Sequence, residues 1–314
     1  MGGNYIRTLA HIMSRGLWGE MVMGKVFVID VGKCNGCYCC QIACKDEHVD
    51  NDWSPYAKPQ PDTGHFWLKL EEFERGSVPK VRVTYIPRLC MHCDDAPCIQ
   101  ACTIGAIKKR PDGIVLIDPE KCNGCKACIS ACPYNAIYFN EELKITQKCT
   151  MCAHILDGVD PLVKIPRCVE VCPHDAIIFG EEEDPKIRDL INKSETLNPE
   201  WQKRPFAIPY NGNRFKPRVY YLNLPRPFIA GEVYDPEIDE CLEGARITLT
   251  DTKTGKTYVT ETDEFGDFWL ENLEWGHAYT IKIEKDGYIP WVLEDIKTDK
   301  DVNLGEITLL KRKK

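Results

Sequence analysis

Short apolar segments separated by turn residues run along the first half of the chain, and two of them are alike. The segments "KVFVIDVGKCNGC" and "GIVLIDPEKCNGC" each begin with a short apolar strand and lead into a loop that contains cysteine. The same combination of strand and loop therefore occurs twice, which indicates an internal structural repeat.

From Phe228 onward, apolar positions alternate with polar ones. The segment "ARITLTDTKTGKTYVTETD" predicts a β-hairpin with a Thr-Gly turn and with Ile247 and Leu249 on one face. The segments "DEFGDFWL" and "HAYTIKIEKDGY" continue the period of two. Several short strands separated by turns predict an all-β sandwich over residues 228–314.

The segment between these two parts contains few strand-forming residues. Within it, "DPKIRDLINK" predicts one short helix that begins with Asp184 and Pro185. Residues 204–227 are rich in proline and predict an extended linker that lies on a surface. We therefore divide the chain into an N-terminal extension, a cysteine-rich domain, a helix with a linker, and a sandwich, at residues 1–23, 24–180, 181–227 and 228–314.

The composition of the 314-residue chain limits the classes of partner. Its net charge of -8 argues against nucleic acid. No apolar run reaches the roughly 18 residues of a membrane helix, so we predict no direct membrane span. The first 23 residues contain neither a signal-peptide core nor a twin-arginine pair. We expect a cytoplasmic protein; the alternative is a periplasmic protein exported together with a signal-bearing partner.

Cysteine is concentrated in one region of the chain. Of the 18 cysteines, all but Cys241 lie between residues 34 and 172, which predicts metal binding and not a disulfide framework. Sixteen of them form four runs: Cys34, Cys37, Cys40 and Cys44; Cys90, Cys93, Cys98 and Cys102; Cys122, Cys125, Cys128 and Cys132; and Cys149, Cys152, Cys168 and Cys172.

The spacing C-x2-C-x2-C-x3-C in the first and third runs is typical of 4Fe-4S clusters. Three of the thiolates bind three corners of an iron-sulfur cube, and the fourth binds a second cube. Gly36 and Gly124 allow backbone N–H groups to approach the cluster sulfurs. We expect four 4Fe-4S clusters, with iron bound through these sixteen cysteines. Structural zinc at the fourth run is the alternative.

The spacing leaves open which runs share clusters. The second and third runs lie about as far apart as the two halves of a two-cluster ferredoxin, so they form a natural pair. The first and fourth runs would then pair with each other. Pairing the first run with the second, and the third with the fourth, is the alternative that the spacing alone does not exclude.

Three segments carry a more specific resemblance: "IPRLCMHCDDAPCIQAC", "IDPEKCNGCKACISACPYNAI" and "KCTMCAHILDG". They resemble the electron-transfer iron-sulfur subunits of the dimethyl sulfoxide reductase family of molybdopterin oxidoreductases. The resemblance implies two ferredoxin-like halves with nested pairing of the runs. The implied ligand sets are set 1 (Cys34, Cys37, Cys40 and Cys172), set 2 (Cys90, Cys93, Cys98 and Cys132), set 3 (Cys122, Cys125, Cys128 and Cys102) and set 4 (Cys149, Cys152, Cys168 and Cys44).

The resemblance also gives the expected fold class. It implies an α+β fold, in which a double ferredoxin-like four-cluster domain precedes an all-β sandwich; the sandwich is similar to transthyretin-like, Cna-B-type domains. Residues 23–314 as a whole resemble a branch of the family whose catalytic partner acts on polyhydroxylated aromatic compounds. That branch has lost ligands of the third run, whereas all four cysteines of that run are present here.

The resemblance implies that the chain is a non-catalytic subunit. It would conduct electrons between a large molybdopterin catalytic subunit, in a heterodimer or a larger complex, and an external electron carrier. No catalytic motif is visible in the sequence, and the molybdopterin cofactor is expected only in the partner. The alternatives are the iron-sulfur subunit of a sulfur, arsenic or nitrogen oxyanion reductase, and a free polyferredoxin that uses the sandwich for docking.

Several residues near the cysteine runs are predicted to have ordinary structural roles. We assign no histidine as an iron ligand. Cys39 is predicted to be a small buried thiol, and Cys241 a surface or strand-edge residue. Phe66, Trp67 and Leu70 are predicted either to be core residues or to face the large subunit.

Overall fold

A computed structural model describes residues 24–158, 164–196 and 214–312 of the chain. The predicted N-terminal extension (residues 1–23) and residues 204–213 of the predicted linker lie outside these ranges. Among the described helices, none combines the length and the apolar character that crossing a bilayer requires.

The described residues before position 223 form short strands and helices that alternate with loops. In chain order these are β1 (Lys25–Asp30), α1 (Cys39–His48), β2 (Lys69–Ser77), β3 (Lys80–Arg88), α2 (Pro97–Gln100), β4 (Ile107–Lys109), β5 (Val115–Ile117), α3 (Ala127–Ala131), β6 (Tyr138–Asn140), β7 (Ile145–Gln147), α4 (Ala153–Leu156), α5 (Arg167–Glu170), β8 (Ile177–Glu181), α6 (Pro185–Asn192) and β9 (Val219–Leu222). A short 3-10 helix, Val31–Lys33, follows β1.

Strand β1 is the centre of a three-stranded sheet. It pairs antiparallel with β8, where Phe27 lies opposite Phe179, and parallel with β9, where Phe27 lies opposite Val219. Residues 26–29 of β1 are fully buried, as expected for a continuous apolar strand that is covered on both faces. Strands β1 and β5 each lead into a cysteine loop and a helix, which confirms the predicted repeat.

The structure confirms the predicted helix but corrects the predicted linker. Helix α6 begins after Asp184, whose side chain accepts a hydrogen bond from the backbone N–H of Lys186. Strand β9 belongs to the proline-rich segment but does not lie on the surface. Its residues Val219 and Tyr221 are fully buried in the hydrophobic core of the cysteine-rich domain. The prediction of an extended surface linker is therefore wrong for these four residues.

The C-terminal part is a two-sheet sandwich, as predicted. Its strands are β10 (Ile229–Asp235), β11 (Glu240–Cys241), β12 (Arg246–Asp251), β13 (Thr257–Glu261), β14 (Asp267–Leu270), β15 (Ala278–Glu284), β16 (Trp291–Lys297) and β17 (Val302–Thr308). One sheet has the order β11-β10-β14, with β17 also paired to β10, and the other has the order β13-β12-β15-β16. Strands β12 and β13 form the predicted hairpin, and the side chains of Ile247 and Leu249 are fully buried between the sheets.

The β2–β3 hairpin of the first part contacts the sandwich. Arg75 forms an ion pair with Asp301 at 2.7 Å, and the two side chains are only 8% and 7% exposed. Phe228 donates its backbone N–H to the same carboxylate. Gly76 has a φ of +87°, and a Cβ at this position would lie 2.6 Å from the Phe228 ring, so close packing requires glycine here.

Candidate iron-sulfur site

The loops that carry the first and third cysteine runs are tightly curved. Gly36 and Gly124 have φ values of +80° and +70°. A Cβ at Gly36 would lie 2.5 Å from the Tyr85 ring, and a Cβ at Gly124 would lie 2.1 Å from the backbone oxygen of Lys144. Glycine is therefore required both by the backbone conformation and by the approach of a neighbouring segment.

The structure brings Cys172 of the fourth run beside the first run. Burial raises the pKa of Cys34, and negative charge on Cys37 and Cys172 raises it further. Burial also raises the pKa of Cys40 to about 12, with additional contributions from the same neighbours. Because the interaction between charges weakens with distance, these contributions indicate that the thiols of set 1 lie near one another.

The reciprocal arrangement occurs at the fourth run, where Cys44 of the first run lies among its thiols. Burial raises the pKa of Cys44 well above its ordinary value, and the charges of Cys149 and Cys152 raise it further. The pKa of Cys168 is likewise raised by burial and, to a smaller extent, by Cys152, Cys44 and Cys149. All four thiols of set 4 are buried.

The second and third runs also exchange one thiol each. Burial raises the pKa of Cys93, and the charges of Cys90, Cys132 and Cys98 raise it further. The grouping of set 3 is shown by a small cavity, which is lined by all four of its thiols: Cys102, Cys122, Cys125 and Cys128. The assignment of iron to these four sets stays a prediction.

The four sets follow one another in the order 1, 4, 2, 3. Cys40 of set 1 contributes to the raised pKa of Cys44 in set 4. Cys90 of set 2 contributes to the raised pKa of Cys149 in set 4. Cys128 of set 3 contributes in the same way to Cys98 of set 2. Neighbouring sets are thus close enough to influence each other electrostatically.

Exposure differs between the ends and the middle of this series. Set 1 contains the exposed Cys37 and set 3 contains the exposed Cys125. In contrast, every thiol of set 4 is buried, and set 2 has three buried thiols and one that is half-buried. The series therefore begins and ends at the protein surface and is shielded from water in between.

The donor chemistry of the four sets fits iron-sulfur clusters. None of the sixteen cysteines forms a disulfide. Backbone N–H groups point at some of the sulfurs, including Met151 to the sulfur of Cys149 at 3.4 Å and Ala176 to the sulfur of Cys172 at 3.2 Å. Such donors stabilise thiolates and cluster sulfurs. Within the described ranges, no three or more His, Cys, Asp or Glu side chains are grouped so as to hold a single metal ion.

His92 supplies a buried donor without a protein acceptor. Its Nδ1 accepts a hydrogen bond from the backbone N–H of Val115 at 3.0 Å, so the neutral ring carries its proton on Nε2. Burial lowers the pKa of His92 well below its ordinary value, which keeps the ring neutral. Nε2 has no partner in the described part of the protein. A cluster sulfur beside set 2 would satisfy this donor.

The other histidines near the runs differ in their surroundings. His48 lies 2.9 Å from the backbone oxygen of Cys44 through Nδ1, and burial lowers its pKa to about 4. His154 contacts Glu47 through Nε2 at 3.0 Å. His174 is exposed.

Three sequence predictions about neighbouring residues have different outcomes. The sequence predicts a buried Cys39, but this residue is exposed on α1 and its thiol hydrogen-bonds to that of Cys37. The prediction is wrong because α1 turns this side chain away from the core. Cys241 is exposed on the edge strand β11, as predicted. Trp67 and Leu70 are buried core residues, which favours the first of the two predicted roles, whereas Phe66 is half-buried.

Lys148 is a buried residue that sequence reasoning missed. The first, third and fourth runs are each preceded by lysine, at Lys33, Lys121 and Lys148. Lys33 and Lys121 are exposed, whereas Lys148 is only 2% exposed. The local sequence gives no signal that separates these three, because the difference comes from tertiary packing of the fourth-run loop.

Two family models match separate parts of the chain. The model of the 4Fe-4S dicluster domain matches residues 81–182. The model of the carboxypeptidase regulatory-like domain matches residues 229–309, which is the sandwich. An iron-sulfur domain and a carboxypeptidase regulatory-like β-sandwich therefore follow each other in the chain.

Characterised relatives resemble the chain over different lengths. The small subunit of pyrogallol hydroxytransferase from Pelobacter acidigallici is 39% identical over 291 residues, which cover 90% of this chain and 98% of that protein. A tetrathionate reductase subunit from Archaeoglobus fulgidus is 34% identical over 63% of this chain and 82% of that protein. The iron-sulfur subunit of arsenate respiratory reductase from a Shewanella species is 44% identical over 36% of this chain and 44% of that protein. With its 4Fe-4S domain and these relatives, the chain belongs to the iron-sulfur electron-transfer subunits of the molybdopterin oxidoreductases.

Proposed function

We propose that the chain holds four 4Fe-4S clusters in sets 1 to 4 and conducts electrons through them in the order 1, 4, 2, 3. The observation that carries this proposal is the continuous series of thiol sets between the exposed Cys37 and the exposed Cys125. When bound, each cluster accepts and releases one electron. The protein holds the clusters in sequence, excludes water from the middle of the series and leaves both ends accessible.

Nested pairing of the runs is part of this proposal. It is supported by Cys172 beside the first run and by Cys44 beside the fourth, since the opposite pairing would separate these thiols. It is also supported by the cavity that Cys102 shares with the third run. Zinc at the fourth run is less well supported, because Cys172 lies among the thiols of set 1.

The proposed partner is a large molybdopterin subunit that acts on a polyhydroxylated aromatic compound. The relative that matches almost the whole chain, including the sandwich, is the small subunit of an enzyme named for pyrogallol. The complete third run favours an external electron carrier at set 3, because an internally redox-neutral reaction would not need this exit. A sulfur or arsenic oxyanion reductase is the second candidate, supported by the tetrathionate and arsenate reductase subunits.

Two finer features are proposed together with this function. The sandwich is proposed to be of the transthyretin-like, Cna-B type. It is also proposed to act in docking and not in electron conduction, because Cys241 is the only cysteine after residue 228 and one thiol cannot hold a cube. The cytoplasm is proposed as the location, with joint export to the periplasm as the alternative. Cell fractionation that follows both the chain and its partner distinguishes these locations.

Anaerobic purification of the native protein tests the proposed partnership. We expect the chain to co-purify in a stable complex with a large subunit that contains molybdopterin. Pyrogallol and tetrathionate, supplied separately to that complex, distinguish the two candidate functions through oxidation or reduction of the clusters. A stable monomer that exchanges electrons with several unrelated carriers would instead identify a free polyferredoxin.

Replacing Cys132 by serine is expected to perturb the cluster of set 2 and not that of set 3, although Cys132 belongs to the third run. The reason is that Cys132 lies in set 2, where burial and the Cys90 charge raise its pKa. Electron paramagnetic resonance of the reduced variant identifies the altered signal. The matched Cys102→Ser variant should alter the resonance signal of the cluster in set 3. A change confined to set 3 in Cys132→Ser would rule out the crossing ligand.

A further inference from the structure

Lys148 is a buried cation that lacks a carboxylate partner. Its ammonium group donates hydrogen bonds to the backbone oxygens of Val115 and of Cys149, the second at 3.0 Å. In the part of the chain that the structure describes, no carboxylate forms an ion pair with it. A charge removed from water in this way is costly unless other negative charge lies nearby.

Two of the ligand sets would supply negative charge near Lys148 once their thiols bind iron as thiolates. Burial raises the pKa of Cys98 in set 2 and of Cys149 in set 4 to about 12, and the Lys148 charge acts against burial at both thiols. Its charge has the same opposing effect on Cys132 of set 2. The hydrogen bonds agree with this position. Lys148 donates to Cys149 of set 4 and to Val115, and the backbone N–H of Val115 donates to His92, which lies between Cys90 and Cys93 of set 2. Lys148 therefore lies beside set 4 and near set 2.

Other lysines near the series are arranged differently. Lys109 donates to the backbone oxygen of Cys93 at 3.0 Å, but Asp94 lies 2.8 Å from its ammonium group and neutralises it. Lys121 pairs with Asp118 and is exposed to solvent. Lys148 thus combines burial, the absence of a carboxylate among described residues, a hydrogen bond to set 4 and an electrostatic influence on set 2.

We propose that Lys148 is the shared counter-ion of the clusters in sets 2 and 4 and raises the reduction potentials of both. This inference rests on the proposed function, since it requires clusters at both sets. It assigns Lys148 a positioning role in electron transfer, because its charge acts through space and the residue does not itself ligate iron.

The physical reason lies in the charge of the clusters. Four thiolates make each cluster site negative, and reduction adds one further negative charge without forming a bond or taking up a proton. Burial disfavours this added charge and therefore lowers the potential. A fixed positive charge beside both clusters offsets that effect. Lys148 would thus keep the buried middle of the series within reach of electrons delivered at its exposed ends.

The Lys148→Met variant tests this inference, with Lys109→Met as the matched control. Methionine keeps a long apolar side chain and removes the charge. Reductive titration of the intact chain, followed by electron paramagnetic resonance, gives each cluster's potential. In Lys148→Met we expect the equilibrium constant for reduction of the clusters in sets 2 and 4 to fall at least tenfold. This corresponds to a decrease of about 59 mV in the reduction potential of a one-electron couple. Lys109→Met removes a charge that Asp94 already neutralises, so it should shift these two potentials less.

Three results would overturn the inference. These are unchanged potentials in sets 2 and 4, equal shifts in all four clusters, and a shift in Lys109→Met as large as that in Lys148→Met. If Lys148→Met does not assemble, Lys148→Gln keeps a donor for the two carbonyls and is titrated in its place, with the same expectation. Iron content of the unsubstituted chain separates the two proposals: fewer than four clusters refutes the proposed function, whereas four clusters with unshifted potentials refutes only the role of Lys148.

Discussion

Replacing Cys168 by alanine is expected to stop electron transfer through the chain while both end clusters remain reducible. Cys168 is buried in set 4, where its pKa is raised by burial and by four neighbouring thiols. Alanine removes one of the four thiolates and supplies no substitute. Because set 4 lies between set 1 and set 2, damage there interrupts the series and does not shorten it at one end.

The effect on turnover should be large. Loss of an outer partner of a metal site typically costs about 10–100-fold in affinity or activity. Loss of a direct ligand in the middle of the series should reduce electron transfer from the catalytic partner to a carrier at set 3 by more than about 100-fold. Stopped-flow reduction of the complex, observed separately for each cluster by rapid-freeze paramagnetic resonance, measures this loss.

Cys241→Ala is the matched control for this variant. Cys241 is an exposed cysteine on strand β11 of the sandwich, outside all four sets. Its replacement should leave both the cluster signals and the rate of electron transfer unchanged. Full electron transfer in Cys168→Ala would show that electrons bypass set 4 and would contradict the proposed order.

Replacing Arg75 by methionine is expected to separate the sandwich from the β2–β3 hairpin. The change leaves the Asp301 carboxylate, 7% exposed, without its ion-pair partner at 2.7 Å. Removing one member of a buried pair typically costs about 3–5 kcal/mol, because the remaining charge stays desolvated. The free energy of unfolding, obtained from anaerobic urea titration, should fall by about this amount, and small-angle scattering should show a more extended chain.

A second pair at the same contact provides the control. Arg82 of β3 pairs with Glu271 at 3.1 Å, but both side chains are nearly half exposed. Exposed ion pairs contribute about 0–1 kcal/mol, and the Arg82 contact with the Trp269 ring adds about 0.5–1 kcal/mol. Arg82→Met should therefore cost much less. The double variant Arg75→Met/Asp301→Leu should recover most of the stability, and a failure to recover would show that the desolvated carboxylate is not the cause.

Much of the fold could be predicted from local sequence patterns. The strand that precedes each repeated cysteine loop, the helix that begins after Asp184 and the β12–β13 hairpin all follow from apolar periodicity and capping residues. The cysteine runs likewise indicate iron-sulfur chemistry, because the spacing of the thiols reflects the shape of the cluster.

The remaining features depend on contacts between distant segments. Strand β9 lies in a proline-rich segment and forms because β1 offers it a free edge. The exposure of Cys39 depends on how α1 packs, and the burial of Lys148 depends on β5, which supplies the carbonyl of Val115. Such differences arise from tertiary structure, so identical local sequences such as Lys-Cys give no indication of them.

Iron and acid-labile sulfide per chain, measured on protein purified without oxygen, test the four-cluster proposal most directly. Four cubane clusters predict about sixteen iron atoms and about sixteen sulfides for each chain. Paramagnetic resonance of the fully reduced protein should show interacting clusters, since neighbouring sets lie close to each other. Twelve or fewer iron atoms in undamaged protein would contradict four clusters and with them the continuous path from Cys37 to Cys125.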